Sequence, residues 1–158
     1  MLADQLTTVV DQLLIPDDAS RRLLVLQVAP EEPIRTTLHE HLALVHGDAL
    51  PLIVNLKTKR GSGYQLLSKA LLRALGLHGK DQAAPRTAVM ERVKATLAES
   101  YDLLIIDHAE RLDYAGLYFL RPDQFKLPTI LIARSTELVR TIRQHPNIAR
   151  YCSPLPGR

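Results

Sequence analysis

The chain has 158 residues, 46% hydrophobic and 23% charged, which is the balance of one globular domain near the commonest domain size. Its plentiful leucine, isoleucine and valine exclude disorder as the main state, and apolar runs such as Leu103 to Ile106 fall far short of the ~18 residues a membrane span needs. One cysteine, Cys152, cannot form an internal disulfide and excludes cysteine-based zinc sites, which suits the cytoplasm; the start, MLADQLTTVVDQLL, has no basic n-region of a signal peptide.

Residues 4 to 15 place Leu6, Val9, Val10, Leu13 and Leu14 at helical spacing, and Pro16-Asp17-Asp18 ends that helix. Leu23 to Val28 is a first apolar strand. After the turn-like Ala29-Pro30-Glu31-Glu32-Pro33, a helix is expected over Thr36 to Val45, broken by Gly47-Asp48. Leu52 to Leu56 is a second strand, followed by a basic loop from Lys57. Ser62 is a plausible N-cap for a helix through Leu66, Leu67, Ala70, Leu71 and Leu75, with Gly76 as its stop. His78 to Arg86 is polar and loose. Thr87 to Glu99 is a further helix, Leu103 to Asp107 a third strand and Pro128 to Ala133 a fourth. Ser135 or Thr136 could cap a helix to His145, which Pro146 ends.

The strands are continuous apolar runs, as in strands buried on both faces. They alternate with helices, so a parallel α/β sheet covered by helices on both sides is expected, a three-layer sandwich. The whole chain reads as one domain: an N-terminal helix and linker over 1–19, a core over 20–152, and an extended tail over 153–158, SPLPGR.

The segment LLIIDHAERL, at 103 to 112, resembles a Walker B strand, four apolar residues and then an aspartate. Together with LPLIVNL, QLLSKALLRALG and PTILIARSTELVRTI followed by NIARY, it makes residues 20 to 155 similar to the AAA+ group of bacterial transposition and helicase-loader ATPases, the TniB, MuB, TnsC and IstB kind. The resemblance implies a P-loop NTPase-like core. It puts the third strand between the second on one side and the fourth and first on the other. It gives Asp107 the place of a magnesium-binding aspartate, with a polar residue, Arg134 or Ser135, closing the fourth strand. Arg150 takes the place of an arginine that reaches a neighbour's nucleotide. The helical lid that follows an AAA+ core has no counterpart before the chain ends, so a lidless core is expected.

The P-loop template G-x-x-x-x-G-K-[ST] aligns to Ala29 through Thr36. Thr36, with Thr37 beside it, is kept; Arg35 stands for lysine, and both glycines are lost, to Ala29 and Ile34. Such a loop points backbone N–H groups at phosphate oxygens, and Pro30 and Pro33 have none to give. Glu31 and Glu32 add charges of the phosphates' own sign, which repel at 4 Å by about 1 kcal/mol in water and by about 4 at an effective dielectric near 20. His108 stands where a glutamate would polarise the attacking water. The residues thus predict a degenerate nucleotide site, with Asp107 and His108 as its Walker B-like remnant and Arg35, Thr36 and Thr37 as its remaining phosphate-side groups. His39, His41 and His46 lack metal-ligand spacing, and no metal site is expected.

Net charge is +3, and from Arg134 to Arg158 five arginines stand against Glu137 alone. Lys57, Lys59 and Arg60 lie in a loop with Gly61, Gly63 and Tyr64, a flexible cationic lip suited to DNA phosphates. Arg140 and Arg143 share one helix face and could extend it. With two Phe, five Tyr and no Trp, base stacking is not expected as a main mode. The function expected is non-enzymatic: a regulator that associates with duplex DNA, with an intact AAA+ relative or with a transposition protein. The alternatives are an active ATPase that uses ATP and magnesium through an unusual loop, and an interaction module for an acidic partner.

Overall fold

The computed structural model describes residues 23–31, 33–34, 40, 50–57, 63–76, 87–123 and 125–153. The four apolar runs form strands β1 (Leu23–Gln27), β2 (Pro51–Asn55), β3 (Leu103–Asp107) and β4 (Thr129–Ala133). A fifth strand, β5 (Cys152–Ser153), pairs with β1 and takes the first residue of the expected tail. The order is β2-β3-β4-β1-β5 and every pairing is parallel. That is the order the AAA+ resemblance implies. Neighbouring registers align Asn55 with Asp107, Asp107 with Ile132, and Gln27 with Ala133. The C-terminal ends of four strands therefore meet at one edge, where open parallel sheets carry their sites.

β3 and β4 are buried along their whole length, so their side chains serve two cores. On one face Val25, Leu104, Ile106 and Leu131 pack with the helices; on the other Leu24, Leu26, Ile105, Ile130 and Ile132 pack with Ile34. The helices are α1 (Gly63–Ala74), α2 (Thr87–Ser100), α3 (Tyr114–Phe119), α4 (Glu137–Arg143) and α5 (Pro146–Ala149). All five bury their apolar residues in the first core, through Leu67 and Leu71, Val93 and Leu97, Leu117, Ile142, and Ile148. Among the described residues the helices thus lie on one face. The helices expected over 4–15 and 36–45, and the loose stretch 78–86, fall outside the described residues.

Three local features differ from the expectation. Pro146 does not merely end a helix: it stands first in α5, where its missing N–H has no intrahelical partner to lose. The stretch 109–119, without apolar periodicity of useful length, folds into a 3-10 turn (Ala109–Arg111) and α3. Gly63 and Tyr64 are not loop slack but the first turn of α1, and the Tyr64 ring packs edge-on against Phe119 at 6.0 Å. Asp113 ties this turn to α3, accepting from the backbone N–H groups of Gly116 (2.9 Å) and Tyr64 (3.1 Å). One carboxylate so caps two helices.

Cys152 is half-buried, and its Sγ lies 3.5 Å from the Ile148 carbonyl. Burial pushes its thiol from 9.0 up to about 12. The folded state therefore holds this proton where the unfolded chain releases it. The stabilisation is complete below about pH 9 and is lost as pH rises toward 12. A thiolate is the reactive form, so an aromatic disulfide reagent at pH 8 should leave Cys152 untouched in the folded protein and modify it fully in denaturant. Stoichiometric labelling of folded protein within minutes would contradict this burial.

Candidate functional site

The site forms where β1, β3 and β4 end. Asp107 is the last residue of β3, and its side chain is only 10% exposed. A carboxylate so buried needs partners. It receives three donors: Arg134 Nε at 2.8 Å and the His108 backbone N–H at 2.8 Å on Oδ1, and a terminal Arg134 nitrogen at 3.0 Å on Oδ2. This is the bidentate fork that guanidinium and carboxylate planes favour. Arg134 follows β4 directly and its side chain is 7% exposed. Its other terminal nitrogen donates to the carbonyls of Ala29 and Pro30, each at 3.2 Å, in the loop after β1. One guanidinium thereby joins three strand ends.

Glu110 closes the cluster. One of its carboxylate oxygens accepts from the Arg134 backbone N–H at 2.9 Å, and the other lies 3.1 Å from His108 Nδ1. A carboxylate can only accept, which assigns the ring proton of this bond to Nδ1. His108 is left-handed, at φ 57°, a conformation histidine adopts more readily than most side chains. The sharp turn directs the chain from β3 into the 3-10 turn that carries Glu110.

The loop after β1 presents the carbonyl oxygens of Ala29 and Pro30 to this cluster. Ile34, at the position of the template's second glycine, is buried in the second core beside Leu24 and Ile132. A side chain anchored there holds the loop by packing, where glycine would leave the backbone free. Among the described residues the partners of the Arg134 guanidinium are all acceptors, the Asp107 carboxylate and the two carbonyls, while Glu110 accepts from its backbone N–H. The seat has the polarity of a cation site, and a protein cation fills it.

The structure brings Asp107 and His108 together with Arg134, which the sequence singles out only as the polar residue after the fourth strand. Glu110 is not singled out there. The signal for the pair was distant: Asp107 and Arg134 are 27 residues apart and meet only because β3 and β4 are neighbours in register. Lys57 follows β2 at the same sheet edge; it is exposed, and its carbonyl accepts from Arg111 at 3.4 Å. Arg140 and Arg143 are exposed on α4. Arg150 lies against its neighbour Tyr151, 4.7 Å from the ring centroid, and donates to its hydroxyl at 2.6 Å. Arg35, Thr36, Thr37, Lys59 and Arg60 lie outside the described residues. Among the described residues no cluster of His, Cys, Asp and Glu could hold a metal ion, and no helix is long and apolar enough to cross a membrane.

No family model matches the sequence, and no curated protein matches it. Its fold is similar to the solved structure of the Aeropyrum pernix ORC2 protein in ADPNP–ADP complexes. The TM-score is 0.58 at 16% identity, over 96% of this chain and 45% of that one. The chain thus spans less than half the length of that protein, and at this identity the likeness concerns the fold. Sheet order and likeness agree on an α/β, parallel-sheet fold of the P-loop NTPase-like type, and neither selects the transposition-type group.

Proposed function

We propose that the chain is a catalytically degenerate AAA+-like protein that acts without nucleotide, as a regulator associated with DNA or with a partner protein. The observation that carries this reading is the guanidinium of Arg134 seated between Asp107 and the carbonyls of Ala29 and Pro30. A magnesium–nucleotide complex needs a free carboxylate or its bound water for the metal and inward N–H groups for the phosphates. Here both oxygens of Asp107 are engaged, Pro30 and Pro33 lack N–H groups, and two loop carbonyls face inward. The described residues do not fit the group. The charge that a bound metal would bring is supplied from within the chain.

DNA association is supported by the exposed Lys57 at the sheet edge, by Lys59 and Arg60 next to it in sequence, and by Arg140 and Arg143 on α4. Duplex binding of this kind is independent of sequence and falls with salt at a log–log slope of roughly −0.9 per neutralised phosphate. Alanine at Lys57, Lys59 and Arg60 together should flatten that slope by up to about 3 and leave the melting temperature nearly unchanged. Fluorescence anisotropy on labelled duplex across a salt series reads both quantities. Absence of binding at low salt would remove the DNA arm and leave a protein partner as the reading.

A further inference from the structure

Aromatic residues are scarce in this chain, yet the fold sets them in a row at the surface. Tyr114 and Tyr118 are one turn apart on α3 and are 37% and 39% exposed, the two exposed aromatic side chains among the described residues. Their ring centroids are 5.9 Å apart. His145, between α4 and α5, lies over Tyr114 at 4.4 Å with its plane tilted by 36°. At the other end the Arg121 guanidinium sits 4.2 Å from the Tyr118 centroid. Four planar groups thus follow one another: His145, Tyr114, Tyr118 and Arg121.

The core does not require this row. α3 anchors itself through Leu117 and Phe119, which are buried on its opposite side. The row is nonetheless held in place. The Tyr114 hydroxyl accepts from Asn147 Nδ2 at 2.6 Å, and Arg121 pairs with Asp123 at 2.9 Å. Arg121 Nε is buried and has no hydrogen-bond partner among the described residues. Exposed, pre-ordered rings with polar tips offer contact area at low entropic cost. α4, which leads into His145, carries the exposed Arg140 and Arg143 against Glu137. Exposed rings with the Arg121 guanidinium at one end match a ligand with π-faces and negative charge, the chemistry of unpaired nucleotides.

We propose that Tyr114 and Tyr118, flanked by His145 and Arg121, form a stacking platform for single-stranded nucleic acid. This goes beyond the backbone-directed duplex binding proposed above and does not depend on it, because it uses rings in place of the Lys57 loop. The test is fluorescence anisotropy of the full chain with a short fluorescein-labelled oligothymidine at low salt. Tyr114→Ala and Tyr118→Ala should each weaken binding by about 5- to 150-fold, the loss of one stacked base. Their salt slopes should stay those of the wild type, since a lost ring removes no phosphate contact. Tyr118→Phe, which keeps the ring, should bind within about twofold of wild type, and unchanged melting curves establish that each variant folds. Alanine variants that fold and bind as tightly as wild type would overturn the proposal. So would a flattened salt slope in those variants, or a wild type that ignores oligothymidine, including one that takes a proline-rich peptide at these rings.

Discussion

Arg134→Ala is expected to destabilise the protein by about 3–5 kcal/mol, the loss seen when one partner of a buried ion pair is removed and the other is left uncompensated. At roughly 2–4 °C per kcal/mol for a chain of this size, the melting temperature should fall by about 10 °C. Asp107 would keep only the backbone donor of His108, and the Ala29 and Pro30 carbonyls would lose their tether. Asp107→Asn with Arg134→Met in one chain removes both charges and keeps most of the volume. That double variant should be more stable than Arg134→Ala, and more stable than the sum of its two single changes implies. Thermal denaturation of the wild type, Asp107→Asn, Arg134→Met and the double variant closes the cycle. Additive losses would mean that the two side chains do not act as a pair.

Gly63→Ala is expected to cost about 3 kcal/mol, although alanine is ordinarily the better helix former. A Cβ at this position would lie 2.5 Å from the Arg111 carbonyl oxygen and 2.6 Å from Leu112 Cα, with the Asp113 backbone nitrogen closer still. These are backbone atoms, so no side chain can rotate away, and the turn that carries Asp113 must shift. The shift would also strain both helix caps that Asp113 makes. Chemical denaturation measures the loss; an alanine variant as stable as the wild type would show that α1 and the 109–113 turn are not in close contact.

The four long strands were legible in the sequence because each is an unbroken apolar run of the length a doubly buried strand needs, and their ends shifted by a residue or so at most. β5 was not legible: two residues carry no periodicity, and Cys152–Ser153 become a strand only by pairing with β1. α3 escaped for a similar reason, since its six residues hold fewer than two turns and too little apolar periodicity to read. Gly63 looked like loop flexibility because its demand for space arises from a contact with 111–113 that no local pattern reports.

The site was legible in a different measure. Asp107 is singled out by the resemblance of LLIIDHAERL to a Walker B strand and the loop after β1 by its alignment to the P-loop template, and Asp107 and the Ala29 and Pro30 carbonyls of that loop meet at Arg134. That Arg134 would reach across to Asp107 could not be recognised, because it depends on the adjacency of β3 and β4 and on a side chain long enough to span them. Glu110 fits the same pattern. It follows Asp107 closely in sequence, but its partner, the backbone N–H of Arg134, is supplied by a strand end far along the chain.

The most direct measurement is a calorimetric titration of ATP into the full chain, with magnesium and again with a chelator. On the proposed reading the guanidinium of Arg134 takes the place of the cation, and no binding heat is expected at millimolar nucleotide, with or without the metal. Saturable, magnesium-dependent binding at micromolar ATP would contradict the degenerate-site account.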